Sequence, residues 1–237
     1  MTEWKAKRFW DAAHVVATDN GFSVHLDARP LNTPGKLPLV MPSRAMAEAV
    51  ATEWNAQEGA IQPLTMPVTR SANSAVERVT PQRADVAAML ASYGETDLLC
   101  YRAEDPAELT QRQAAGWDPL LGWAEQRYGA RLILGAGVVP VTQPPASIAA
   151  LAETVAAVEP FPMTALHDLV TLTGSLILGL AVSEGEISVS RAWDLSRIDE
   201  TWQIEQWGAD EEASAAAAAK ESQLHHAARF WELSFSE

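Results

Sequence analysis

The longest apolar stretch of the chain lies between Thr164 and Val182, in the sequence TALHDLVTLTGSLILGLAV. On a helical projection its apolar side chains point in every direction, which is typical of a helix in the middle of a domain. The pattern therefore predicts one central core helix over this stretch. Gly174 and Gly179 each lower the helix propensity by roughly 1 kcal/mol, so we expect neighbouring helices to pack closely against them.

A membrane-spanning helix is the competing interpretation of the same stretch. A bilayer requires roughly 18 to 20 largely apolar residues. Polar residues interrupt this one at His167, Asp168, Thr171, Thr173 and Ser175. The length and the polar content therefore favour a buried helix.

A second helical pattern follows Gly185 and is rich in tryptophan. Ser188 or Ser190 is suited to cap its N terminus, since a short hydroxyl side chain accepts hydrogen bonds from free backbone amides. At about 100° per residue, the helix carries two apolar stripes on opposite sides. The first stripe comprises Leu195, Ile198 and Trp202, and the second comprises Trp193, Ile204 and Trp207. We expect one stripe to pack against the core helix and the other to be covered by a further element or by another protein.

Carboxylates lie among these tryptophans and continue into the next segment. They are Asp199, Glu200, Glu205, Asp210, Glu211 and Glu212. Tryptophan is common at binding hot spots and carboxylates attract a basic partner, so the combination suits a protein-binding surface. The same residues also fit an alternative in which every tryptophan belongs to the core and the carboxylates form a solvated face.

The N-terminal part of the chain has the alternation of β-strands, whereas the remainder is mostly helical in pattern. Phe22, Val24 and Leu26 alternate with polar residues, which is the period of a half-buried strand. Short extended runs follow, and Ser43 is then placed as the N-cap of the first clear helix. We predict an α+β protein, with a small antiparallel β domain over residues 1–67 and a larger, mostly helical domain over residues 68–237.

Composition narrows the range of functions. A formal net charge of −14 disfavours general nucleic-acid binding, which needs basic residues to displace counterions, and it disfavours adsorption to anionic membranes. The single cysteine, Cys100, excludes an internal disulfide, and we interpret it as a small buried side chain, with a nucleophilic thiol as the alternative. The first residues, MTEWKAKRFW, lack the apolar segment of a signal peptide, so a reducing compartment such as the cytoplasm is expected.

Candidate catalytic chemistry is sparse. The five histidines show no metal-ligand spacing, and the nucleophile-elbow and phosphate-loop motifs are absent. His167-Asp168 is the most suggestive pair, because a His and an Asp can hold a divalent metal in a hydrolase; the alternative is that both form hydrogen bonds within the core helix. Asp97 is a further candidate, although acidic residues are common in turns. These observations favour a protein that is not an enzyme.

Six segments resemble a known family in matching order along the chain. They are LDARPLNTPGKLPLV (26–40), AVATEWNAQEGAIQPLTMPVTRSAN (49–73), YGETDLLCYRA (93–103), WDPLLGWAE (117–125), ALHDLVTLTGSLILGLAV (165–182) and DETWQIEQWGADEEA (199–213). Together they resemble the ATP synthase assembly chaperones that bind the α subunit of the soluble catalytic sector.

The resemblance implies an N-terminal β domain, a C-terminal helical domain, no catalysis and no cofactor. It also implies a partner, the free α subunit, which the chaperone holds until the β subunit replaces it. A monomer without membrane insertion is expected. The bacterial members of the family are cytoplasmic and the eukaryotic relatives lie in the mitochondrial matrix, and the absence of an Arg-rich transit segment resembles the bacterial members. A metal-dependent hydrolase using His167 and Asp168, or a scaffold protein with another partner, stays as the alternative.

The resemblance also suggests where the partner binds. In the family a glutamate in the acidic run after a Trp-Gly pair is important for function. The corresponding run here is WGADEE (207–212), in which Ala209 stands where an acidic residue commonly follows the glycine. The partner-binding residues are therefore placed, in order, at Glu211, Glu212 and Asp210, together with Trp207, Trp202 and Glu205.

Overall fold

A computed structural model describes residues 7–137 and 139–236. The chain forms two compact units, each built from segments that are distant in sequence. The first comprises Met1–Arg83, Glu159–Ala165 and Arg229–Glu237, and the second comprises Ala84–Val158 and Leu166–Ala228. The two domains expected from the sequence, residues 1–67 and 68–237, remain a prediction. A division into compact units does not show whether either range folds by itself.

The first unit contains the predicted antiparallel sheet. Its strands are β1 (Ala13–Thr18), β2 (Gly21–Leu26), β3 (Arg29–Pro30) and β4 (Val40–Met41). β2 is central and pairs with each of the other three, and Val15 of β1 lies opposite Val24 of β2. Val24 and Met41 have no exposed surface, so one face of the sheet belongs to the core. The prediction of a small N-terminal antiparallel sheet followed by a mostly helical region is confirmed.

Helix α1 (Arg44–Asn55) covers this sheet and is capped as predicted. The Ser43 hydroxyl oxygen accepts a hydrogen bond from the backbone amide of Met46 at 3.0 Å, and the hydroxyl group donates to the backbone carbonyl of Leu233. Met46 and Val50 are completely buried within the same core cluster as the sheet residues. The cap is therefore also a link between α1 and the last residues of the first unit.

Replacing Ser43 with alanine is expected to lower the free energy of unfolding by about 1–2 kcal/mol, since the substitution removes both the cap and the bond to a half-buried carbonyl. Urea denaturation followed by circular dichroism measures the change. Ser92→Ala is the matched control, because the exposed Ser92 hydroxyl bonds only to the carbonyl of Met89, one turn earlier. Equal stability changes in the two variants would show that the cap contributes nothing.

Helix α2 (Pro67–Ser74) follows a short 3-10 helix, Pro63–Thr65, and is capped from outside its own segment. The Glu53 carboxylate accepts hydrogen bonds from the backbone amides of Val68 and Thr69 at 2.7 and 2.8 Å. A carboxylate at a helix N terminus satisfies amides that have no partner in the helix and interacts favourably with the helix dipole. α2 then continues through a π-helix, Ala75–Val79, and a second 3-10 turn.

The second unit is almost entirely helical. Its elements include α3 (Arg83–Ser92), β5 (Tyr101–Arg102), α4 (Ala107–Tyr128), β6 (Gly135–Ala136), α5 (Pro145–Ala156), α6 (Pro160–Thr173), α7 (Leu176–Ser183), α8 (Val189–Ser196), α9 (Ile198–Trp207) and α10 (Glu211–Leu233). The first residues of α3 and α6 and the last residues of α10 belong to the first unit. β5 and β6 form a two-residue parallel pair. Across the described ranges, no helix is both long and apolar enough to cross a membrane.

The prediction of one continuous core helix is wrong. α6 ends at Thr173, Gly174 takes a left-handed conformation with φ 71°, and α7 begins at Leu176. The Ser175 hydroxyl oxygen caps α7 by accepting from the backbone amide of Leu178 at 3.0 Å. Every residue of Leu176–Ala181 is buried. The predicted burial is thus confirmed for these residues of α7, whereas α6 has a partly exposed side at His167, Asp168, Thr171 and Leu172.

Asp97 occupies the break between α6 and α7. Its carboxylate accepts hydrogen bonds from the Ser175 hydroxyl at 2.7 Å and from the backbone amides of Leu99 and Ile177 at 3.0 and 3.1 Å. The side chain has no exposed surface, and this burial raises its pKa from 3.8 to about 6. Asp97 is therefore a structural carboxylate that joins the segment before β5 to the start of α7.

The close packing expected at Gly179 is confirmed. A Cβ atom at this position would lie 2.6 Å from the Cγ2 atom of Val170, a distance that atoms in contact do not reach. The absence of a side chain at Gly179 therefore allows α7 to approach α6. Gly174, for which the same role was expected, instead ends α6.

Candidate partner-binding surface

The Trp-rich segment forms two helices, so the prediction of a single helix is wrong. α8 ends at Ser196, Arg197 leaves the helical conformation with φ −120°, and α9 begins at Ile198. The cap predicted at Ser188 is confirmed, since its hydroxyl oxygen accepts from the amide of Arg191 at 3.1 Å. Because the helix is interrupted, residues before and after Arg197 do not lie on the continuous stripes that a single helix would have.

α8 and the start of α9 are anchored in the core of the second unit. Trp193 packs in a buried cluster with Leu169 and Leu224. The indole N–H of Trp117 donates to the backbone carbonyl of Leu195 at 2.9 Å. On α4, a Cβ atom at Gly116 would lie 2.8 Å from the side chain of Leu195, so the small residue permits this close approach.

Polar contacts from α4 hold the middle of α9. The amide group of Gln113 donates to Asp199 at 2.6 Å, while its carbonyl oxygen accepts from the amide of Ala103 at 2.8 Å. Arg112 forms an ion pair with Glu205, with 2.8 Å between nitrogen and oxygen. Its guanidinium lies 5.1 Å from the ring centre of Trp202. The hydrogen bond from Arg112 lowers the pKa of the exposed Glu205 carboxyl, and the same pair raises the pKa of Arg112.

The last turn of α9 is exposed. The exposed fraction is 41% for Ile204 and 77% for Trp207. Gly208, with φ 91°, ends the helix immediately afterwards. The second predicted stripe is therefore divided, because Trp193 lies in the core while Ile204 and Trp207 face solvent. The interpretation as core residues therefore holds for Trp193 and not for Trp207, and a protein-binding role for Trp207 stays a prediction.

The acidic run after Trp207 forms the N terminus of α10. The Asp210 carboxylate caps this helix by accepting from the backbone amide of Ala213 at 2.8 Å. Glu211 and Glu212 occupy the first turn and are exposed. Carboxylates in the first helical turn are stabilised by the helix dipole. Within the described part of the chain, neither glutamate side chain forms a hydrogen bond or ion pair, so both are available to a partner.

Two open grooves flank Trp207, and all their residues belong to the second unit. The larger, which we call the α9–α10 groove, has a volume of about 470 Å³ and is lined by Arg197, Glu200, Gln203, Ile204, Trp207, Gly208, Asp210, Ala213, Ser214, Ala217, Ala218 and Glu221. The smaller has a volume of about 400 Å³ and lies between α9 and the segment around β5, with Trp202 and Trp207 among its lining residues. The structure therefore brings Trp207 and Asp210 together on one groove, whereas Glu205 is engaged by Arg112.

The residues considered for catalysis are paired with each other or buried. Nδ1 of His167 lies 2.9 Å from Oδ1 of Asp168, so the two side chains bond to each other. Among residues 7–137 and 139–236, no group of three or more His, Cys, Asp or Glu side chains is placed to hold a metal ion. Cys100 is buried, and burial raises the pKa of its thiol to about 12, which opposes formation of a nucleophilic thiolate.

Sequence reasoning missed the residues of α4 that position α9. Arg112, Gln113 and Gly116 share one side of α4 because their spacing follows the helical repeat. The available signals were a glycine within a helical pattern and an arginine within an acidic chain. Neither signal identified the partner of these residues, since the polar contacts of Gln113 and Arg112 with α9 join positions 86 and 93 residues apart.

Comparisons with known proteins agree on one family. A profile of the ATP12 chaperone protein matches residues 7–125. Atp12 from Paracoccus denitrificans, known from a crystal structure, is 53% identical in sequence to this chain. The match covers 98% of this chain and 100% of that one, and the two structures superimpose with a TM-score of 0.95. The Atu1473 protein of Agrobacterium tumefaciens is 42% identical over 96% of this chain and 85% of its own, with a TM-score of 0.90.

A more distant relative is the mitochondrial protein atp12 of Schizosaccharomyces pombe. It is 21% identical over 219 residues, which is 87% of this chain and 75% of that protein. The profile match and the high identity along nearly the whole chain show that this protein belongs to the ATP12 chaperone family.

Proposed function

We propose that this protein is an assembly chaperone that binds the unassembled α subunit of the ATP synthase catalytic sector until the β subunit replaces it. Membership of the ATP12 chaperone family supports an assembly role. The single observation that carries the choice of binding surface is the exposure of Trp207, at 77%, beside the acidic N terminus of α10. An exposed tryptophan next to exposed carboxylates suits a partner that presents apolar and basic side chains.

A chaperone of this kind acts by covering a surface that its partner needs later. A free subunit exposes apolar area that is meant for its neighbour, and such an area causes aggregation. Protection requires an affinity high enough to cover this area and low enough for release to the final neighbour. The proposed role therefore requires neither catalysis nor a cofactor. We place it in the bacterial cytoplasm, where a free α subunit would be synthesised.

Within the proposed site the residues have different tasks. Trp207, Glu211 and Glu212 are the proposed direct contacts, because their side chains are exposed and the two carboxylates have no partner in the described residues. Asp210 shapes the site as the cap of α10, and Glu205 and Trp202 are held by Arg112.

Co-purification tests the proposed function. The tagged protein is mixed with the α subunit of its own organism, and the captured complex is then treated with the β subunit. We expect capture of α and its release by β. Failure to capture α that is demonstrably folded and soluble would refute the proposal in favour of a scaffold protein with another partner.

Glu211→Lys is expected to weaken binding of the α subunit by roughly ten-fold while leaving the fold intact, since it reverses an exposed charge that has no partner in the described residues. Isothermal titration calorimetry measures the affinity, and circular dichroism measures the fold. Glu153→Lys on α5 is the control, because it makes the same change of charge at another exposed position. If both variants bind as the unmodified protein does, Glu211 is not part of the site.

A further inference from the structure

The α9–α10 groove has exposed apolar walls. Ile204 and Trp207 contribute one wall from α9, and Ala213, Ala217 and Ala218 contribute the other from α10. Of the residues from Glu211 to Gln223, only Ala217 and Glu221 are even partly buried. Alanine side chains leave the backbone of α10 approachable, so another segment can come close to it. The groove is therefore an apolar surface of the second unit that lacks a covering element in the described chain.

The size of the groove indicates which part of a partner it can hold. α9 has 10 residues, which corresponds to a length of about 15 Å. A volume of about 470 Å³ is sufficient for a few side chains but not for a whole additional helix. The groove thus fits the apolar face of a helix of about three turns, with side chains at positions i, i+3 or i+4, and i+7, which is a recurring mode of recognition.

The charges around the groove indicate which charged side chains that helix should carry beside its apolar face. Glu200, Asp210 and Glu221 line it, whereas Arg197 is the one basic residue in its lining. The guanidinium of Arg197 lies 4.9 Å from the ring centre of Trp193, so it is stacked on a tryptophan of the core. The first turn of α10 adds Glu211 and Glu212. A partner segment with lysine or arginine beside its apolar face complements these charges.

We propose that the α9–α10 groove receives an amphipathic helix of the partner subunit, with aliphatic side chains against Ile204, Trp207 and the alanines of α10. Its lysine or arginine side chains meet Glu200 and Glu221. This proposal rests on the proposed function for the identity of the partner, and adds which kind of segment is recognised and by which residues.

The groove can be filled from within by a single substitution. Ala218→Leu places a larger side chain on the groove wall with little change in helix propensity. Ala219→Leu makes the same change on the opposite side of α10, at an exposed position that does not line the groove. The two variants therefore differ only in whether the groove is filled, and thermal unfolding followed by circular dichroism verifies that both fold.

The experiment measures capture of the organism's own α subunit by the full chain and by both variants. We expect Ala218→Leu to weaken binding by about ten-fold or more and Ala219→Leu to leave it unchanged, since only the first occludes the groove. If the full chain binds α and Ala218→Leu binds equally well, the groove proposal is overturned while the proposed function stands. If the full chain does not bind soluble α, the proposed function fails, and the proposal that an α-subunit helix occupies this groove fails with it.

A photo-cross-linking residue in place of Gln203, an exposed residue of the groove lining that already has a long side chain, identifies the bound segment. We expect the cross-linked peptide of the α subunit to have apolar residues at helical spacing with lysine or arginine beside them. The double variant Glu200→Lys/Glu221→Lys should then bind α about ten-fold more weakly, with a loss that diminishes as salt is raised, because exposed charges are screened. A cross-linked segment that is acidic or lacks helical periodicity would overturn the proposal.

Discussion

Leu176→Ala is expected to lower the free energy of unfolding by about 2–5 kcal/mol, the range found when a fully buried leucine is truncated. Leu176 has no exposed surface and is the first residue of α7. A Cβ atom built on Gly94 would lie 3.6 Å from its Cδ2 atom and 3.2 Å from the side chain of Leu151. Gly94 has no side chain that could move into the space of the missing isopropyl group, so we expect most of the cavity to remain.

Urea denaturation with an intrinsic fluorescence signal measures this loss of stability. Leu134→Ala is the matched control, because Leu134 is 47% exposed and lies in the same unit. We expect the control to change the free energy of unfolding by about 1 kcal/mol or less, as surface substitutions do. A loss in Leu176→Ala no larger than in the control would show that α7 is not central to the core.

Asp97 is expected to make the protein less stable as the pH rises from about 4 to about 7. Its pKa is 3.8 when unperturbed and about 6 in the folded protein, because burial disfavours the charged form. Between these values the folded state holds more protons than the unfolded state, so the contribution of Asp97 to stability is fully present below pH 4 and is lost through pH 6. A shift of this size corresponds to a free energy on the order of 3 kcal/mol.

Asp97→Asn isolates this contribution, since asparagine has nearly the same shape and does not titrate in this range. The free energy of unfolding is measured for both proteins at several pH values, and the unmodified protein should lose stability relative to the variant as the pH rises. The comparison is necessary because Asp27, Glu77 and Glu205 have lowered pKa values and act in the opposite direction. A constant difference between the two proteins would mean that the Asp97 pKa is not raised.

The segment from residue 164 to residue 182, which Asp97 contacts, shows which features could be predicted from the sequence and which could not. Burial of most of 164–182 could be predicted, because a segment whose apolar side chains point in every direction must be covered. The break at Gly174 could not, because glycine is compatible both with close packing and with a left-handed helix end. What decides between them is the buried carboxylate of Asp97, 78 residues away from Ser175 in sequence, which bonds the start of α7.

The candidate binding surface likewise has features that the sequence predicts and features that it does not. The sequence by itself determined that tryptophans and carboxylates concentrate between residues 193 and 212, that Ser43 and either Ser188 or Ser190 are suited to cap helices, and that the chain resembles an assembly chaperone. These are local properties, set by residue type and by spacing along the chain. Only the tertiary structure decided that Trp193 is buried while Trp207 is exposed, and that Glu205 is paired with Arg112. The physical reason is that burial and pairing depend on which helices pack together. Two tryptophans are equally hydrophobic, and each is buried only where another part of the chain packs over it.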